Sequence, residues 1–337
     1  MGPSFTEAFI YKWLKNKNGM FATNIKDSDV MDEDEVKGRE TLSETLGLWM
    51  EYVLLKGSQK LFEDAYQQLN QYFLLRDGFV HWKLNEAGRS MESTNALVDD
   101  LRIIRTLVQA SDIWNEPKYK RVAGRISKYV TKYNQFKNVL TDYYDRHYQY
   151  ATTTITLSYI DPIALQIMRQ SKCIQHGMYQ DTMNILNAAP LDGSFYPKSY
   201  DVETKQYNYE EQVNLIDQSL VALYRAQSNM TTHTFLDYIK QEIEEKGVIY
   251  GKYDRQSRKP VVDYQSPAIY GWLILYCLEM DEEECAEIFY RKMKEFRLTH
   301  SQYKGGYCVY QGDTHIFDNI VPMLAEQKLY HSGILEG

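Results

Sequence analysis

The chain has 337 residues, 44% hydrophobic and 25% charged, with 18 Gly and 8 Pro. That excludes a disordered, collagen-like or low-complexity polymer and leaves ample length to bury a core. Thirty-eight Lys and Arg against 46 Asp and Glu give a net charge of −8; without a clustered basic stripe, nucleic acid is not an expected partner, because that affinity rests on a cationic surface. The longest apolar run, Ile269–Cys277, falls far short of the roughly 20 residues that span a bilayer, so no transmembrane segment is expected.

A 3.6-residue apolar period predicts about twelve helices. The first three are Ser4–Lys15, Leu42–Lys56 and Gln59–Leu75. Asp77–Gly88 then alternates apolar and polar residues around a turn at Asn85–Gly88 and reads as a β-hairpin. Helices resume at Ala96–Trp114, Pro117–Gln135, Ser158–Arg169 and His176–Ala188. A second hairpin is predicted over Gly193–Tyr207, turning near Asp201–Lys205. The last five helices are Glu211–Gln227, Thr232–Glu245, Pro267–Glu279, Asp281–Phe296 and Phe317–Lys328. Every second helix is apolar over most of its circumference, as in Ala268–Cys277, whereas its neighbour carries a charged face, as in Glu282–Arg291. A helix apolar all round is buried on all sides. Six such helices alternating with six amphipathic ones predict an all-α fold, an (α/α)6 barrel with an inner and an outer ring and short hairpin insertions on the cleft face. No Pro/Gly/Ser-rich linker divides the chain, so residues 1–337 read as one domain.

Tyrosine is abundant: 29 Tyr, 12 Phe and 5 Trp make up 14% of the chain. A flat apolar ring with a hydroxyl suits a cleft that holds sugars, and it equally suits interhelical packing. Four cysteines show no CxxC pairing and seven histidines no HExxH or similar pair, so no metal site is expected.

The loop or first turn entering each inner helix carries a carboxylate: Glu44, Asp99 and Asp100, Asp161, Asp217, Asp263 and Asp318. Acidic residues at helix N-termini also serve as caps and complement the dipole. Two have neighbours that argue for more. Glu44 lies among Leu42, Leu46 and Leu48, apolar company that raises a carboxyl pKa and keeps it protonated, as a general acid requires. Asp217, in Asn214-Leu-Ile-Asp-Gln-Ser-Leu220, faces either the barrel axis or an expensive burial. Glycoside hydrolysis needs an acid for the departing oxygen and a second carboxylate for water or the sugar. Glu44 and Asp217 are the expected catalytic pair, with Asp161 in reserve as base, and Asp99, Asp100, Tyr159, Asp161, Trp49, Trp82 and Tyr207 are the expected substrate-binding residues.

At these positions the chain resembles the family 8 glycoside hydrolases. Thr41-Leu-Ser-Glu-Thr-Leu-Gly-Leu-Trp-Met50 is similar to that family's S-E-G-x-G-Y-G-M segment, whose Glu is the general acid and matches Glu44. Asn95-Ala-Leu-Val-Asp-Asp-Leu-Arg-Ile103 is similar to A-x-D-G-D-x-x-I, placing Asp100 on its second acidic position and Val98 on its first. Ser158-Tyr-Ile-Asp-Pro162 resembles S-Y-x-x-P. Ile216-Asp-Gln-Ser-Leu220 resembles S-Y-D-A-x-R, matching Asp217 to the inverting base and Leu220 to the Arg. The divergent branch it most resembles is the PssZ/YdaJ type linked to bacterial exopolysaccharides. The resemblance implies an (α/α)6 fold, inversion of configuration, no cofactor, a polysaccharide partner and a site outside the cell, at the surface or membrane-anchored; a monomer is expected. The opening residues lack the basic-then-apolar layout of a secretion signal. A lyase on the same barrel and a non-catalytic polysaccharide-binding protein are the alternative readings. The sugar, the linkage and endo or exo action stay open.

Overall fold

The computed structural model describes residues 2–28, 36–230 and 233–335. Twelve α-helices lie among them: α1 (Pro3–Trp13), α2 (Ser43–Leu55), α3 (Gln59–Gln68), α4 (Leu97–Trp114), α5 (Pro117–Tyr133), α6 (Pro162–Gln170), α7 (His176–Asn187), α8 (Leu215–Gln227), α9 (His233–Lys246), α10 (Pro267–Glu279), α11 (Glu283–Glu295) and α12 (Phe317–His331). Each overlaps a predicted helix, most within a few residues; α3 ends at Gln68, short of the expected Leu75, and the chain continues as a π-helical turn over Leu69–Phe73, while Thr232, the expected start of the ninth, lies outside the described residues.

Local chemistry sets several starts. Proline occupies the first turn of α1, α5, α6 and α10, where its missing N–H costs nothing. Asp161, Asn214 and Ser266 cap α6, α8 and α10 by accepting from backbone N–H groups inside each helix, worth about 1 kcal/mol each. The fourth helix stops at Asn115, which takes a left-handed conformation at φ 55.

The even-numbered helices close a ring. Contacts run from α2 to α4, α6, α8, α10, α12 and back to α2. The odd-numbered helices form an outer layer: α1 packs on α12, α3 on α2, α5 on α4, α7 on α6 and α11 on α10. The ninth helix inserts Phe235, whose ring lies 5.9 Å from that of Tyr276 on α10. The fold is an (α/α)6 barrel. Between α10 and α12 the ring is tight because Gly271 has no side chain: a Cβ there would meet Val321 Cγ1 at 2.9 Å.

Short antiparallel sheets decorate the face where the inner helices begin. The expected hairpin over 193–207 is present, with Ser199–Asp201 pairing to Gln206–Asn208 around the Asp201–Lys205 turn. A third strand, Thr154–Thr156, adds to its other edge. The expected hairpin over 77–88 is a different structure. The Asn85–Gly88 turn forms, but Lys83–Leu84 pairs with Thr41–Leu42, just ahead of α2. Further strand pairs lie within 135–151, where no strand was expected and where Gln135 was the expected end of the fifth helix. Among the described residues no helix is long and apolar enough to cross a membrane.

Candidate active site

The strand pair Thr41–Leu42/Lys83–Leu84 delivers the chain into α2, and Ser43 N–H donates to the Trp82 carbonyl at 2.9 Å. Glu44, in the first turn of α2, is partly exposed at the barrel mouth. Beside it stands Asp99 from the first turn of α4, which accepts from Ser43 Oγ at 2.7 Å and from the Glu44 backbone N–H. Arg102, one turn further along α4, places Nη1 3.6 Å from Asp99 Oδ1. Burial pushes the Glu44 carboxyl up to about 7; the Asp99 charge adds to this and Arg102 opposes it. Burial also raises Asp99, against the stabilising contacts of Arg102, Ser43 and the Glu44 N–H.

Across the mouth, Asp217 sits in the first turn of α8 with its side chain 17% exposed. Ser158 Oγ donates to its Oδ1 at 2.9 Å, and the Lys198 ammonium pairs with its Oδ2. Nearby, Asp142 accepts from Thr156 N at 2.6 Å and from Thr156 Oγ1 at 2.7 Å. Its carboxyl is raised to about 6 by burial; the Thr156 bonds and Lys198 oppose the rise and the Asp217 charge adds to it. Tyr159 ties the two sides together. Its phenol is raised by burial first, then by the charges of Asp142, Asp99, Asp217 and Glu44. All four carboxyls therefore lie close enough to this one half-buried tyrosine for their charges to bear on its phenol.

Below the mouth the barrel axis is charged. From Asp99 the chain of contacts continues through Arg102, whose Nε is 4.0 Å from Glu51 Oε2. Arg105 Nη2 lies 2.8 Å from the same Glu51 oxygen, and Arg105 Nη1 lies 3.1 Å from Asp161 Oδ2. Asp161 is thereby accounted for. It is 1% exposed, caps α6 through Ala164 N at 2.9 Å and holds Arg105. It is a structural anchor and has no opening to water, which removes it both as reserve base and as sugar ligand.

The other expected residues divide. Trp49 is 3% exposed and packs against Tyr11, Phe21 and Tyr52; it belongs to the core and offers no platform to a sugar. Asp99, rather than Asp100, is the α4 acid beside Glu44. Asp100 is 1% exposed and turned to Asn95, whose Nδ2 lies 2.6 Å from it, and burial lifts its pKa well above the ordinary range. Trp82 is half-buried at the entry of α2, with the Lys83 ammonium 5.1 Å from its ring centre. Tyr207 packs edge-on against Tyr200 and spends its hydroxyl on the Ile185 carbonyl at 2.7 Å, so only its ring remains for a ligand. Sequence reasoning missed Lys198, Asp142 and Arg102. Lys198 did carry a signal, being the only charge in Phe195-Tyr-Pro-Lys-Ser-Tyr200.

No family model matches the chain. The Bacillus subtilis (strain 168) protein named "Putative lipoprotein YdaJ" is 36% identical over 333 residues, covering 98% of this chain and 88% of the relative. Among solved structures, an α-amylase from Clostridium perfringens superposes with a TM-score of 0.88 at 25% identity, over 97% of this chain and 98% of the other. PssZ from Listeria monocytogenes gives 0.77 at 26%, over 96% and 94%. A cold-adapted family 8 xylanase shares the fold at 0.69 and 12% identity, over 98% and 91%. The relative that is 36% identical over nearly the whole chain shows the family: the chain belongs with the YdaJ protein, and its barrel is the fold of the family 8 glycoside hydrolases.

Proposed function

We propose that this protein hydrolyses glycosidic bonds of a bacterial exopolysaccharide or β-glucan-like polymer with inversion, Glu44 acting as general acid and Asp217 as general base. The observation that carries the proposal is the contrast between two carboxyls grouped around Tyr159. One is held neutral up to about 7 by burial and a like charge, and one is paired with an ammonium. Protonated Glu44 donates to the departing glycosidic oxygen. Asp217 takes a proton from water on the opposite sugar face, its two oxygens oriented by Ser158 and Lys198. Inversion by this route needs roughly 6.5–9.5 Å between the carboxyl groups to admit the water, whereas about 5 Å serves a retaining enzyme. A relative whose name marks it as a lipoprotein supports action at the cell surface. The likeness to a protein described as an α-amylase favours an α-glucan as the second reading of the substrate.

The test is incubation with exopolysaccharides, β-glucans, xylan and starch, following reducing ends and the anomeric proton by NMR. The expected result is reducing-end release with the inverted anomer appearing first. Products absorbing in the ultraviolet would indicate a lyase, and tight binding without release on every polymer would indicate a binding protein; either outcome overturns the proposal.

The acid's environment gives a pH prediction. Glu44 must be protonated to work, so kcat/KM falls as pH rises through about 7. In Asp99→Asn the like charge is gone and Arg102 is no longer shared with it. Both changes favour the ionised form, so the alkaline limb of the kcat/KM–pH profile moves to lower pH, and activity above neutrality drops several-fold further than in the unmodified protein. A limb that stays in place would show that Asp99 does not tune the acid.

A further inference from the structure

The three-stranded sheet beside the mouth does more than wall the cleft. Its strand Thr154–Thr156 gives Thr156 to Asp142, and the turn that follows gives Ser158 to Asp217. Lys198 is held between these groups. Its carbonyl accepts from Leu157 N at 3.0 Å and its N–H donates to the Asn208 carbonyl at 2.8 Å, so its backbone is locked to the residue preceding Ser158 and to the far strand of the hairpin. The side chain, 32% exposed, reaches from there to Asp217. The ammonium's contact is with Asp217, while Asp142 lies within the field of both Lys198 and Asp217. Of two neighbouring carboxyls, the one in direct contact with an ammonium is the one it orients. Tyr159 lies in the field of both carboxyls and of Asp99 and Glu44, none of which brings positive charge.

We propose that Lys198 is a positioning residue: with Ser158 it holds the Asp217 carboxylate toward the substrate, while Asp142, whose two oxygens both accept from Thr156, takes no part in the proton transfer. The inference rests on the reading of Asp217 as base. Lys198 acts through Asp217: it fixes Oδ2 while Ser158 fixes Oδ1, and its charge stabilises the form able to accept a proton from water. When the water's proton arrives on Asp217, the carboxylate loses its charge and the ammonium contact weakens. The hairpin that shapes the groove therefore also aims the carboxylate at the point where bonds are broken.

The experiment compares Lys198→Met and Lys198→Arg with the unmodified protein by two readouts. The first is the acid limb of kcat/KM against pH on whichever polymer is cleaved. Without the cation the base protonates more readily, so in Lys198→Met the limb moves to higher pH and kcat falls about tenfold or more while KM changes little; Lys198→Arg keeps the limb in place. The second readout needs no turnover: carboxyl carbon NMR titration of aspartate-labelled protein, with Asp142→Asn and Asp217→Asn to assign the signals. Asp142 is expected to titrate at about 6 in the unmodified protein and higher in Lys198→Met, which removes the ammonium that opposes its rise. Unchanged titrations in Lys198→Met overturn the inference. Shifted titrations with an unmoved acid limb overturn it too, because Asp217 is then not the base. If the unmodified protein cleaves nothing, the hydrolase reading fails, and the titration alone still decides which carboxyl Lys198 keeps charged.

Discussion

Glu44→Gln should lose hydrolysis of an unactivated polysaccharide by about 10²–10⁴-fold, the span that positioned proton transfer contributes, while oligosaccharide binding persists. Glutamine fills the same volume and leaves the Asp99 contacts with Ser43 and the backbone intact, so the loss is of a proton and not of shape. A substrate whose leaving group departs without protonation, such as a nitrophenyl glycoside, should recover much of the rate. Stability provides the control. The carboxyl ionises near 4.5 when free and at about 7 in the folded protein. A group raised in this way favours the folded state while protonated, and that contribution is lost as pH rises between the two values. Glutamine removes the loss, so above pH 7 the variant should unfold at an equal or higher temperature. Full activity in this variant would end the acid assignment.

Asp217→Asn should cost a similar factor of about 10²–10⁴ with the opposite response to leaving group. Water still lacks its proton acceptor whatever departs, so an activated glycoside gives no recovery. The pair of variants therefore separates acid from base without knowledge of the natural sugar. Folding is little affected, because Lys198 left without its partner is a third exposed and water screens it. If activity survived in Asp217→Asn and vanished in Asp142→Asn, the base would be the neighbouring carboxyl.

The barrel was legible because its evidence is local and repeated. A segment such as Ala268–Cys277, apolar on every side, has one physical home, and six of them alternating with charged-faced partners leave few architectures. The 77–88 segment misled for the converse reason: its alternation was real, but the strand that satisfies it lies some forty residues upstream at Thr41–Leu42, and period alone carries no address. Trp49 failed in the same way. On a helix buried all round, sequence does not say which side looks along the axis, and Trp49 turned toward Tyr11 and Phe21. Asp161 announced a carboxylate at a helix entrance, yet only the arrival of Arg105 from α4 decides that it anchors rather than reacts. Lys198 was overlooked because acids were counted and the cation that ranks them was not.

The charged file down the axis, Asp99, Arg102, Glu51, Arg105 and Asp161, constrains how this lineage can drift. Deleting one buried member strands its neighbour at about 3–5 kcal/mol, although replacing a whole set with well-packed aliphatics is often neutral or better. An oily axis is thus separated from the present one by single-step intermediates near the edge of foldability. Descendants should retain all five or have exchanged them together, and a lone substitution at any of these positions should be found only beside a compensating change at the next.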